Sequence, residues 1–130
     1  MKLIIEGETP SKKNSRIMLP NGRNIPSKQY QAWHKSAEIQ VRCMNIGHDT
    51  ICYPVSISLS FFHGDLRRRD SDNGTSSILD TLVDCGVIKD DNWEIVRILN
   101  VYNYYDKGNA RCEIDIKPLE TTIEEGRQSA

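Results

Sequence analysis

The residues best suited to chemistry lie in one run, Asp65-Leu66-Arg67-Arg68-Arg69-Asp70-Ser71-Asp72-Asn73. Side chains two apart in an extended segment point the same way, so Asp70 and Asp72 are expected to project together. Two carboxylates held close repel each other unless a proton or cation intervenes. Such oxygen ligands suit Mg²⁺, with Mn²⁺ as the other candidate. A second acidic pair, Asp90-Asp91, follows a helical stretch. A strand–loop–helix–loop path can return residue 91 to the neighbourhood of residue 70. A Mg²⁺ ion held there would polarise a phosphoryl oxygen and activate water for in-line attack. Arg67, Arg68 and Arg69 stand ready to neutralise phosphates. The same residues have plainer uses. Asp72 could cap the following helix, Asp90-Asp91 could form a turn, and the arginines could make surface ion pairs of little worth.

These residues need a scaffold, and 130 residues are about enough for one domain with one core. A hydrophobic fraction of 38%, a charged fraction of 27% and a mean hydropathy of -0.54 exclude a membrane protein and argue against a wholly disordered chain. The net charge of -1 hides an asymmetry. Residues 1–69 hold 11 Lys/Arg against 5 Asp/Glu, and residues 70–130 hold 6 against 13. That split suits a polyanion-binding surface beside an acidic cluster, or two halves that neutralise each other. The four cysteines, Cys43, Cys52, Cys85 and Cys112, form no C-x-x-C pair. The apolar run at the N-terminus is too short for a signal peptide. A cytoplasmic protein with free thiols is expected. Cys43, His48 and Cys52 lack a fourth ligand at sensible spacing for zinc.

Residues 2–7 read as a strand and residues 8–16 as a polar loop. Asn21-Gly22 signals a small hairpin within residues 16–26. Ser27 is a good cap for a helix running to about Asn45 and closed by Gly47. That helix carries two apolar stripes. Tyr30, Trp33, Ala37, Val41 and Met44 lie on one face, and Ala32, Ile39, Cys43 and Ile46 lie nearly opposite. Two stripes imply burial on both sides, one of them against a partner subunit. Residues 53–63 alternate Val55, Ile57, Leu59 and Phe61 with serines and Phe62, as a half-buried strand does. A second helix fits residues 73–85, with Gly86 just past its end. Residues 94–105 and 110–116 read as two strands expected to pair antiparallel through a turn at 106–109. The fold class is therefore α+β, a single mixed, mostly antiparallel sheet with two main helices packed on it.

Three pieces in order carry a more specific signal. They are P-S-K-K-N-S at residues 10–15, R-R-R-D-x-D-N at 67–73, and G-V-I-x-D-D at 86–91 after a leucine-rich helix face. Together they resemble the RusA family of Holliday-junction resolvases, over residues 1 to about 117. The resemblance implies a RusA-like nuclease domain at 1–117; residues 118–130 hold few apolar side chains and are expected to be a flexible tail. It implies a Mg²⁺-dependent, homodimeric endonuclease, often prophage-encoded, that nicks four-way DNA junctions symmetrically in recombination and repair. Carried over residue by residue, its catalytic and metal-binding carboxylates fall on Asp70, Asp72 and Asp91, with Asp90 as the neighbouring acid. Lys12, Lys13, Arg16, Arg67, Arg68, Arg69 and Lys89 are the candidate DNA contacts. One departure stands out: the family's lysine four residues after the second Asp is Ser76 here. Two other readings remain beside this one. The first is a branched-DNA-binding protein of the same fold with weakened cleavage. The second is a small phage interaction protein whose acids only cap and turn.

Overall fold

In the computed structural model, which describes residues 1–12, 16–44 and 49–119, eight elements follow one another. They are β1 (Lys2–Glu6), β2 (Arg16–Met18), β3 (Asn24–Pro26), α1 (Lys28–Cys43), β4 (Val55–His63), α2 (Thr75–Asp84), β5 (Val96–Tyr105) and β6 (Arg111–Pro118). The architecture is α+β, as expected. A four-stranded mixed sheet has the order β1-β6-β4-β5, and β2 and β3 form the separate hairpin that Asn21-Gly22 foretold.

Alternation decides which face of the sheet is covered. Val55, Ile57, Leu59 and Phe61 of β4 are buried, and so are Leu3 and Ile5 of β1 and Cys112, Ile114 and Ile116 of β6. These side chains share one face, on which α1 and α2 complete the core through Ala37, Val41, Ile78 and Leu82. The other face carries Ser56, Ser58 and Ser60, and leaves Ile4, Ile98, Tyr102 and Tyr104 exposed.

The last two strands do not pair with each other, contrary to the sequence expectation. β5 lies parallel to β4, while β6 lies antiparallel to β4 on its other side and to β1. The residues at 106–109 do turn, but their amides bond across the end of β4 instead of closing a hairpin. Asp106 N–H donates to the His63 carbonyl at 2.9 Å and Gly108 N–H to the Gly64 carbonyl at 3.0 Å. A good turn sequence fixes that the chain reverses, and the sheet fixes what lies between the two arms.

α1 begins where expected, with Ser27 Oγ accepting from the Tyr30 amide at 3.1 Å. Its first stripe is inward: Tyr30, Ala37 and Val41 are buried, and Trp33 and Met44 pack against the core. Its second stripe is open, with Ile39 54% exposed and Ala32 and Cys43 exposed. Ile46, the expected helix end at Asn45, and Gly47 lie outside the described residues, as do Lys13 to Ser15 and all of the tail beyond Leu119. No helix among the described residues is long and apolar enough to cross a membrane.

Candidate active site

Asp70 and Asp72 sit in a turn and not in an extended segment, which corrects the alternation argument. Asn73 N–H donates to the Asp70 carbonyl and Thr75 N–H to the Asp72 carbonyl, both at 3.1 Å. Asp, Asn, Ser and Gly are the residues that favour such reversals. α2 starts at Thr75 behind Gly74, and no side chain caps it. Asp72 is therefore not spent on capping the helix. Both carboxylates are on exposed residues.

A glycine at the start of a helix ordinarily weakens it, and Gly74 immediately precedes α2. It has a different part in the structure. A Cβ there would lie 2.7 Å from Thr9 Cγ2 and 2.8 Å from Phe61 Cε1. Both neighbours are buried, and neither is the far end of a flexible chain. The missing side chain lets the Asp70–Asp72 loop lie directly on β4 and the N-terminal loop. Gly74→Ala should therefore cost about 1–3 kcal/mol as an overpacking substitution. A fall in the urea midpoint with an unchanged slope would register it; an unchanged midpoint would show that the loop is not seated as described.

A chain of polar contacts holds this loop from beneath. Arg69 Nη2 lies 3.0 Å from Asp65 Oδ1 and 3.3 Å from Glu8 Oε1. Glu8 Oε2 meets His63 Nδ1 at 2.8 Å, and His63 Nε2 meets Asn103 Oδ1 at 2.8 Å. Asn103 Nδ2 then donates to the Ser71 carbonyl at 2.7 Å, inside the D-x-D turn. The Arg67 amide and the Arg69 guanidinium hold the Asp65 carboxyl below its ordinary pKa. With its side chain only 13% exposed, Arg69 is a strut, while Arg67 and Arg68 are exposed.

The loop separates two clefts. The larger, about 590 Å³, has Glu8 to Ser11 on one wall and Arg67 to Asp70 with Asn73 on the other. The smaller, about 360 Å³, lies between the same loop and Asn103, Tyr104 and Tyr105. Asp70 and Arg67 line both. At the base of the loop, the buried hydroxyls of Thr9 and Thr75 have no hydrogen-bond partner among the described residues.

The N-terminal loop reaches the site through α2. Ser77, wholly buried, donates from Oγ to the Pro10 carbonyl at 2.6 Å and accepts from the Lys12 amide at 3.1 Å. Burial raises the pKa of Tyr30, whose phenol also meets Ser77. Lys12 Nζ ion-pairs with Asp80 Oδ2 on α2.

Asp91 stands beyond the other end of α2. Val87 and Ile88 are buried there and bridged to Ile51, with Lys89 N–H donating to the Ile51 carbonyl at 2.9 Å. Asp90 is used locally: its Oδ1 accepts from the Asp91 amide at 2.7 Å and its Oδ2 from Asn92 at 3.2 Å. Burial, then the hydrogen bond to Asp90 and the nearby charges of Asp80 and Asp90, raise the pKa of Asp91. Asp70, Asp72 and Asp91 do not form a tight trio. Among the described residues, the group of three potential ligands whose atoms all lie within 4.8 Å of one another is His34, Glu38 and Asp84. Asp80, one turn beyond Ser76 on α2, acts electrostatically on Asp91 and belongs to none of the three sequence motifs. Its i, i+4 spacing from Ser76 was the available signal. Glu8, His63 and Asn103 gave no such signal, because their contacts span 32 to 55 positions.

Of the other predicted contacts, Lys89 is exposed, Arg16 opens β2, and Lys13 lies outside the described residues. Comparison with known proteins gives two findings. The family model described as Endodeoxyribonuclease RusA matches residues 6–117. A protein of Aquifex aeolicus (strain VF5) named Crossover junction endodeoxyribonuclease RusA is 27% identical over 113 residues, covering 86% of this chain and 87% of the relative.

Proposed function

The chain belongs to the RusA endodeoxyribonuclease family, and we propose that it is a Mg²⁺-dependent endonuclease that binds four-way DNA junctions as a homodimer and nicks them symmetrically. Residues 1–117 are the nuclease unit in this reading; Pro118 still pairs with Val55 at the end of β6 and Leu119 N–H donates to the Pro54 carbonyl at 3.0 Å, so the expected tail does not start before residue 120. The setting is cytoplasmic DNA recombination and repair. The observation that carries the reading is the cleft in which Asp70 stands beside Arg67 and Arg68 and faces the N-terminal loop.

Asp70, Asp72 and Asp91 are the proposed catalytic and metal-binding carboxylates. The donor set suits Mg²⁺, or Mn²⁺, because it is all carboxylate oxygen and partly open to solvent. Mg²⁺ binds through one or two carboxylates and keeps several waters, so three acids need not converge on one point. When bound, the ion supplies Lewis acidity at the phosphoryl oxygen and a more acidic water. The protein's own residues do the rest. The Arg69 strut fixes the loop, Arg67 and Arg68 hold phosphates, and Asp90 orders the turn before Asp91.

The homodimer reading rests on apolar surface that the fold leaves open, the Ile39 stripe of α1 and the bare sheet face. Two symmetric nicks also require two equivalent sites, which a twofold pair supplies.

Cleavage of a synthetic four-way junction under single-turnover conditions tests the proposal. Paired nicks across the junction should appear only with Mg²⁺ or Mn²⁺, and a linear duplex of the same sequence should stay intact. A junction that remains uncut at every divalent concentration overturns it.

The arginines should also separate by salt. Each phosphate contact contributes roughly 0.9 to the slope of log affinity against log salt on duplex DNA. Arg67→Ala with Arg68→Ala should therefore lower that slope by about two. Arg69→Ala should instead lower thermal stability, because Arg69 is committed to Asp65 and Glu8. Equal slopes in the double variant and the parent would place Arg67 and Arg68 away from DNA.

A further inference from the structure

His34 and Glu38 lie four residues apart on α1, facing Asp84, the last residue of α2. His34 Nε2 is 2.7 Å from Glu38 Oε1 and 3.1 Å from Asp84 Oδ2. The other ring nitrogen, Nδ1, is 3.3 Å from Thr81 Oγ1. Thr81 is wholly buried, and its hydroxyl donates to the Ser77 carbonyl at 3.0 Å. A hydroxyl has one proton to give. Toward His34, therefore, Thr81 can only accept, and Nδ1 must carry a hydrogen. That hydrogen-bond assignment leaves Nε2 pointing at two carboxylates. A neutral ring would aim a lone pair at two anions. Only a proton or a metal cation between them turns the arrangement from repulsive to attractive.

Metal-bound histidines commonly donate their second ring N–H to an acceptor that fixes the tautomer, which is the part Thr81 plays here. An imidazole with two carboxylates favours a first-row transition ion over Mg²⁺. Two ligands at i and i+4 share one face of a helix, a spacing used by zinc enzymes. The side chains of His34, Glu38 and Asp84 are 21%, 31% and 54% exposed, so an ion can enter. We propose that His34 Nε2, Glu38 and Asp84 form a Zn²⁺ site that staples α1 to α2, separate from the acids at Asp70, Asp72 and Asp91. Water completes the fourth position of a three-ligand zinc site. The staple closes beside the C-terminal end of α2, the helix whose other end carries the Asp70–Asp72 turn.

Metal-free full-length protein titrated with Zn²⁺ against a chromophoric chelator tests this, with melting temperature read in parallel. One Zn²⁺ per chain should bind and raise the melting temperature. Asp84→Asn, a change at a half-exposed helix end, should weaken binding at least tenfold while the metal-free melting temperature holds. Thr81→Val should weaken it about 10–100-fold, the usual effect of losing an outer-shell partner. Asp70→Asn and Asp91→Asn should leave Zn²⁺ affinity unchanged. With Co²⁺ in place of Zn²⁺, the absorption spectrum should lack thiolate charge transfer. Failure to bind one equivalent overturns the proposal. Binding that survives Asp84→Asn but falls with Cys43→Ser and Cys52→Ser also overturns it. None of these outcomes depends on whether the protein cuts junctions.

Discussion

Asp70→Asn should reduce junction cleavage by orders of magnitude while junction binding persists or tightens. The substitution keeps size and removes charge, so the turn at 70–74, held by backbone hydrogen bonds, should survive it. Asp70 lines both clefts beside Arg67, where an incoming phosphate and a carboxylate would otherwise repel. On the proposed reading Asp70 is a hard oxygen ligand, and its loss would weaken the Lewis-acid and water-activating chemistry of the ion. Asp72→Asn should behave alike. Asp90→Asn should be milder, because Asp90 spends its oxygens on the Asp91 amide and Asn92. Gel-shift affinity and single-turnover rate, measured on the same preparations, separate the two effects. Wild-type cleavage by Asp70→Asn would remove Asp70 from the site, whatever its binding.

The parts of this arrangement that local chemistry fixes were readable from the residues. Alternation located β4 and its buried face, Ser27 located the start of α1, and Asn21-Gly22 located the small hairpin. The failures share a cause. Strand order depends on which neighbour a strand meets, and nothing within residues 94–116 says that β4 will lie between β5 and β6. The turn at 70–74 displaced an expected extended segment although its own residues favour reversal, and Asn103, 32 positions away, adds a bond to the Ser71 carbonyl there. The part Gly74 plays had no local signal, because its neighbours Thr9 and Phe61 are distant in sequence. Arg69 looked equivalent to Arg67 and Arg68 until Glu8 was seen to pair with it. The three site motifs stood out by residue type, but the contacts that seat them are long-range and had no local signature.

Lys12→Met should slow cleavage about 10²-fold, the cost expected for one preorganised electrostatic donor. Ser76 leaves α2 without a cation at the position where the family resemblance expects one. Asp80 lies one turn further along the same helix face. Lys12 Nζ is anchored on Asp80, and the Lys12 amide is anchored on Ser77, so the N-terminal loop delivers an ammonium to the gap. Of the three candidate DNA-contacting lysines, Lys12, Lys13 and Lys89, Lys12 is the one the structure ties to α2; Lys89 is held by its backbone to Ile51, and Lys13 lies outside the described residues. Two mechanisms would give the same loss. Lys12 could stabilise charge on the phosphate, or it could only neutralise Asp80, whose negative charge adds to burial and the Asp90 hydrogen bond in raising the pKa of Asp91. A raised pKa means that Asp91 takes up a proton at higher pH, so metal binding through it is lost earlier as pH falls. Neutralisation alone therefore predicts that Lys12→Met shifts the acid limb of the rate profile upward, and that adding Asp80→Asn restores the rate. Phosphate stabilisation predicts a pH-independent loss that Asp80→Asn leaves in place and Ser76→Lys repairs. We expect the second pattern, because Lys12 is 40% exposed at its side chain and so remains open to DNA. Full activity in Lys12→Met at every pH would remove this lysine from catalysis altogether.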